Sequence, residues 1–181
     1  MLTEENFDEF IDQINTTYYY FQLWINLNNE YVPVQDKFSS YEIPKLMKFT
    51  LHSLQQTWIL GIARLLDGGE YNGNRRLSVE FILTESGDIE LMKYYVDYMQ
   101  QDHMKKFKYS NRDLRDEKIA HMTPGIIKIK KQKAGIEEFF DLIEHIIQKL
   151  QKNHPSNKKI GYDISVIEAK QQASLFIKKI V

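Results

Sequence analysis

The sequence predicts an all-α fold, an up-and-down helical bundle of four to five long helices plus short helical pieces, and three observations predict it. Apolar residues recur at alternating steps of three and four along most of the chain, the spacing that gives a helix one buried face. Signals for strands are scarce. A chain of 181 residues is long enough to bury a full core as one domain, residues 1–181, without disulfides or metal.

The first helix is expected over about residues 4 to 29, with Phe7, Phe10, Ile14, Tyr18, Phe21 and Ile25 as its inner stripe, until Pro33 breaks the pattern. Tyr18, Tyr19 and Tyr20 are consecutive and cannot all face inward. The second runs from about Ser40 to Asp67, with Pro44 in its first turn, where no intrahelical donor is lost. Its stripe is Met47, Leu51, Leu54, Trp58, Ile62 and Leu65. The segment DGGEYNGNRR, rich in Gly and Asn, is an exposed connection. It is not a phosphate-cradling loop, since no strand precedes it and no Gly-Lys-Ser/Thr follows.

Ser78 caps a short helical piece, SVEFILTE. A third long helix covers about Asp88 to Phe107, with Met92, Tyr95, Val96 and Met99 inward and His103 continuing that line. Ser110 followed by Asp113 resembles a capping box, so NRDLRDEKIAHM starts or restarts a helix there, which Thr123, Pro124 and Gly125 end. The basic stretch IIKIKKQKAG is irregular. A further helix over about Gly135 to Lys152 buries Phe139, Ile143, Ile146 and Leu150, and the last, about Asp163 to Ile180, turns Val166, Ala169, Ala173, Phe176 and Ile180 inward.

Composition narrows the function. A formal net charge of -1 excludes a protein that coats nucleic acid over its whole surface, so any such contact is local. Without cysteine there is neither a disulfide framework nor a thiolate nucleophile. LTEENFDEF is acidic and carries no secretory signal, and no apolar run approaches the roughly 20 residues that span a bilayer. The expectation is a cytoplasmic protein with no membrane contact. No His-Glu-x-x-His or Gly-x-Ser-x-Gly occurs, so neither a zinc hydrolase nor a serine hydrolase is predicted, and no metal or cofactor is expected.

One segment concentrates chemistry. NRDLRDEKIAHM holds Arg112, Arg115, Asp116, Lys118 and His121 in twelve residues. On a regular helix Arg115 and His121 stand about 9 Å apart along the axis and about 120° around it. They do not stack on one face, yet both could reach one phosphate lying across the helix, since a guanidinium offers paired donors to phosphate oxygens. Two copies of the segment facing each other would do better, one imidazole acting as base and the other as acid. Basic clusters flank it: KKFK at 105 to 108, with Lys105 and Lys106, and KIKKQK at 128 to 133. A third, NKK, lies at 157 to 159.

LRDEKIAH, preceded on an earlier helix by TWILGIARLLDG, resembles the HEPN superfamily (higher eukaryotes and prokaryotes nucleotide-binding), whose signature is an Arg and a His separated by four to six residues. It is similar to the branch associated with abortive phage infection, in which an apolar helix ending Ala-Arg-Leu-x-Asp precedes an Arg-Asp-Lys-x-x-Ala-His-like segment. The likeness covers about residues 40 to 150. It implies a homodimer with the motif at the subunit interface and, in active members, metal-independent RNA cleavage in phage defence or toxin–antitoxin systems. Carried over, His121 is the general acid/base, Arg115 the phosphate and transition-state stabiliser, and Asp116 the polar residue that orients the motif. Lys118, Arg112, Lys105 and Lys106 would bind RNA, and an antitoxin or other defence protein is a possible partner. Arg64 and Asp67 match the earlier helix and read first as a structural ion pair or cap. Thr123 stands where some members carry a tyrosine modified by a partner enzyme. The competing expectation is a non-catalytic helical module that binds a partner protein or nucleotide.

Overall fold

A computed structural model of the chain describes residues 1–38, 42–68, 70–71, 74–75, 77–120 and 133–180. Among them are seven α-helices: α1 (Glu4–Tyr31), α2 (Glu42–Leu66), α3 (Val79–Ser86), α4 (Ile89–Met99), α5 (Asp102–Ala120), α6 (Lys133–Leu150) and α7 (Tyr162–Ile180). The protein is an all-α helical bundle in which five of these are long and α3 and α4 are short pieces.

Side-chain caps set several helix starts. The Thr3 hydroxyl accepts the Asn6 N–H at the head of α1, Ser78 accepts that of Phe81 at α3, and Asp88 accepts that of Leu91 at α4. Each satisfies a donor that the first turn cannot pair internally. Gly87 ends α3 at φ 72°, a left-handed conformation that glycine adopts without a Cβ clash. Pro33 ends α1 by entering a 3₁₀ helix, Val32–Lys37. After α2 the predicted connection carries a minimal antiparallel ladder, β1 (Glu70–Tyr71) with β2 (Asn74–Arg75), Glu70 opposite Arg75.

α1 is the central helix and packs against both α2 and α7, while α5 lies on α2. α1 and α2 run antiparallel, since Thr17 meets Gly61 while Phe21 and Trp24 meet Trp58. A Cβ on Gly61 would collide with the Thr17 side chain, so the absent side chain lets these two backbones approach. α7 runs parallel to α1: Asn15 accepts from the Gly161 N–H, Tyr18 packs on Tyr162, and further on Leu27 shares a groove with Phe176. One contiguous apolar cluster draws residues from all seven helices, with Trp58, Phe10, Phe21 and Phe139 fully enclosed.

Three expectations are corrected. No helix begins at Ser110, because α5 runs unbroken from Asp102 to Ala120. Met104, Phe107 and Asn111 are buried at steps of three and four, and that continuous stripe overrides the local capping preference of Ser110. The break falls instead at Gln100 and Gln101, where Gln101 donates to Tyr98 only three residues back before Lys105 donates to Gln101 and α5 begins. Val96 and Val166, expected inward, are exposed, and Leu91 and Ser165 are buried on those helices. The predicted stop at Thr123, Pro124 and Gly125 and the irregular basic stretch to residue 132 lie outside the described residues. No described helix is long and apolar enough to cross a membrane.

Candidate functional site

Arg115 sits near the C-terminal part of α5, where that helix crosses the end of α2. Its Nε donates to Asp116 Oδ1 at 2.9 Å and its Nη1 to Asp67 Oδ1 at 3.4 Å. Two carboxylates, one on α5 and one just past the end of α2, therefore hold one planar guanidinium from adjacent sides, which fixes its orientation more than either alone. Asp116 also faces Arg112, whose Nε lies 3.9 Å from Oδ2. Asp67 thus pairs with Arg115, and among the described residues Arg64 makes no ion pair.

Two hollows meet at Arg115. One, of about 460 Å³, lies between α1, α2 and α5 and is lined by Glu9, Gln13, Arg64, Asp67, Leu77 and Arg115. The other, of about 260 Å³, is lined on α5 by Lys108, Tyr109, Asn111, Arg112 and Arg115 and on the α2 side by Leu66, Asp67 and Gly68. Among the described residues Arg115 is the cation common to both, with Arg64 on one side and Arg112 and Lys108 on the other. Such a row of donors suits the phosphates of a polyanion, and the apolar floor of Leu60, Ala63 and Leu77 suits a base or sugar face.

His121 lies outside the described residues, as does the side chain of Lys118. Arg112 is exposed and lines the second hollow, while Lys105 and Lys106, although exposed, line neither. Lys108 takes their place. It is seven residues before Arg115, so the two stand within about 20° of each other around the helix and about 10 Å apart along it. That spacing was present in the sequence as the step Lys108, Arg112, Arg115. In the cluster at 157 to 159, Lys158 Nζ pairs with Asp12 at 3.0 Å and the Lys159 carbonyl accepts from Asn15, and neither lysine lines the hollows at Arg115. Of KIKKQK only Lys133 is described, paired with Glu137 at 3.4 Å.

A second polar cluster ties α4, α5 and α6 together. Tyr98 Oη donates to Glu138 Oε1 at 2.7 Å, and His103 Nε2 lies 2.7 Å from the same oxygen. His103 is half-exposed, so it continues the α4 line only as a partner of Glu138. Burial first, then the hydrogen bond and the charge of Glu138, push the Tyr98 phenol up to about 12. For Glu138 burial alone would raise the carboxyl, but hydrogen bonds from Tyr98 and His103 and the His103 charge outweigh it and hold the group below its usual range.

A phenol raised above its unfolded value favours the fold below about pH 10 and ceases to do so as pH rises through about 12. The depressed Glu138 contributes above roughly pH 4.3, a contribution lost as acid titrates the folded carboxylate. Tyr98→Phe should therefore lose less stability than wild type between about pH 10 and 12 in urea titrations. Identical alkaline slopes in the two proteins would contradict the pairing.

Among the described residues no group of three or more His, Asp or Glu side chains is placed to hold a metal ion. No protein-family model, no curated protein and no solved structure matches the chain.

Proposed function

We propose that this protein is a metal-independent endoribonuclease of a phage-defence or toxin–antitoxin system, acting in the cytoplasm as a homodimer through a composite site of Arg115 and His121. The observation that carries the reading is the guanidinium of Arg115, held by Asp67 and Asp116 where two hollows meet and flanked by Arg64, Arg112 and Lys108. A structural arginine would need the carboxylates but not the surrounding row of cations. Asp116 then serves as the residue that orients Arg115, and Asp67 joins it as a second positioning residue.

In the proposed reaction an imidazole takes the proton of an RNA 2′-hydroxyl, whose oxygen bonds to the adjacent phosphorus. The bond from phosphorus to O5′ breaks, and the imidazole of a second copy protonates the departing oxygen. The products are a 2′,3′-cyclic phosphate and a 5′-hydroxyl. Arg115 neutralises charge that builds on the non-bridging oxygens, where a fixed donor lowers the barrier more than water can. DNA lacks the attacking hydroxyl and is not cut.

The test is cleavage of a labelled RNA in EDTA by wild type and His121→Ala. Loss of an acid/base group should slow cleavage by about 10² to 10⁴-fold, and a 2′-deoxy substitution at the cut position should abolish it. Equal traces of cleavage in both proteins would favour the second reading, a non-catalytic module that binds a partner protein or nucleotide.

A further inference from the structure

α7 is apolar on two opposite sides. Its inner side, Ser165, Ala169, Ala173 and Ile177, is buried on the bundle. Its outer side carries Ile164, Ile167 and Leu175, which are 63%, 56% and 51% exposed, with Gln171 between them. The steps from 164 to 167, 171 and 175 are three, four and four, so these four residues form one stripe facing away from the core. A solvated face carries polar residues at such positions, and clustered large aliphatics there mark an interaction surface. Beside Leu175 opens an apolar groove of about 300 Å³, lined by Leu23, Leu27, Leu54 and Phe176.

We propose that this stripe pairs with the same stripe of a second copy, α7 against α7 in antiparallel sense about a two-fold axis at Gln171. Charge complementarity selects this occupant. The first turn of α7 holds Asp163 and the last holds Lys178 and Lys179. Asp163 stands eight residues before Gln171 and Lys178 seven after it, while Ile167 and Leu175 stand four before and four after. An antiparallel pair therefore sets Asp163 against Lys178 of the second copy at both ends and Ile167 against Leu175 between them. The helix dipoles then oppose each other. A parallel pair would set like charges together at each end. No such symmetry about Gln171 is needed to bind an unrelated protein.

The surface is distinct from the Arg115 hollows: α7 packs on α1, whereas α5 packs on α2. This inference goes beyond the ribonuclease reading and does not depend on it. A chain that uses both faces would assemble beyond a dimer.

Sedimentation equilibrium on the intact chain at about 10–100 µM tests the pairing by mass action. Wild type should be a dimer or an even multiple, and Ile167→Glu should halve that mass. Asp163→Lys should weaken association about ten-fold or more, and Asp163→Lys combined with Lys178→Asp should restore it. Both charged positions are exposed, so circular dichroism of these variants should match wild type. A monomeric wild type overturns the proposal, as does an assembly whose mass none of the variants changes. Failure of the double exchange to restore association overturns the antiparallel register.

Discussion

Trp58→Ala should destabilise the protein by about 3–5 kcal/mol, the range for removing a large aromatic from a closed core. Trp58 is fully buried on α2, edge-on to Phe21 with ring centroids 5.4 Å apart and tilted against Trp24 at 5.8 Å. Three residues on, Gly61 lets α2 close onto Thr17, so the helices cannot draw together further to fill a void at Trp58. Because domains are stable by only about 5–15 kcal/mol, the substitution removes a large part of the total. Trp58→Phe separates packing from polarity. Among the described residues the indole Nε1–H has no hydrogen-bond partner, and neither has the Gln55 side-chain nitrogen one turn earlier. An unpaired buried donor costs about 1–3 kcal/mol, which offsets much of the volume lost to phenylalanine, so this variant should fall well short of the alanine effect. Urea titration with an unchanged slope is the measurement. A loss below about 1 kcal/mol for Trp58→Ala would mean that the α1 and α2 seam is not packed as described.

That seam also shows what was readable beforehand. The stripes of α1, α2 and α6 follow a three-and-four spacing of large apolar residues, and burial selects every expected position on α6 and all but Tyr18, Ile25 and Leu54 on α1 and α2, which are half-buried at the edge of the core. Ser78 was legible as a cap on equally local grounds. α7 was harder. Its expected line shares Ala169 and Ala173 with the core, but at its start Val166 outweighs Ser165 in hydropathy although Ser165 is the buried one. The break at Gln100 has no proline or glycine to announce it. At the candidate site the row Lys108, Arg112, Arg115 has helical spacing, but a helix end expected at Phe107 and a start expected at Ser110 put Lys108 between helices, and the row forms only because α5 is continuous. The contact that fixes Arg115 could not be read from spacing, because Asp67 is 48 residues away and depends on how α2 meets α5.

The same contact makes Arg115 the sharpest place to separate chemistry from stability. Its side chain is 32% exposed and Asp67 is 28% exposed, and ion pairs this open contribute at most about 1 kcal/mol. Arg115→Ala should therefore leave unfolding nearly unchanged. If the guanidinium meets the phosphate in the transition state, cleavage should fall by about 10² to 10³-fold, the usual loss when a fixed donor to developing charge is removed. Arg115→Lys keeps the charge but not the fork, and a single ammonium cannot hold the carboxylates of Asp67 and Asp116 and a phosphate in one plane. It should bind RNA near wild-type strength yet recover only a small part of the rate. Lys108→Ala and Arg64→Ala, which remove cations around the hollows, should weaken binding and lower the salt dependence, each by about 0.7 in the logarithmic slope for a single strand, with the rate at saturation little changed. Asp67→Asn acts through Arg115, so it should lower the saturated rate without changing the salt slope. A protein that loses several kcal/mol with Arg115→Ala, or that keeps its full rate, would place this arginine among the structural ion pairs of the bundle.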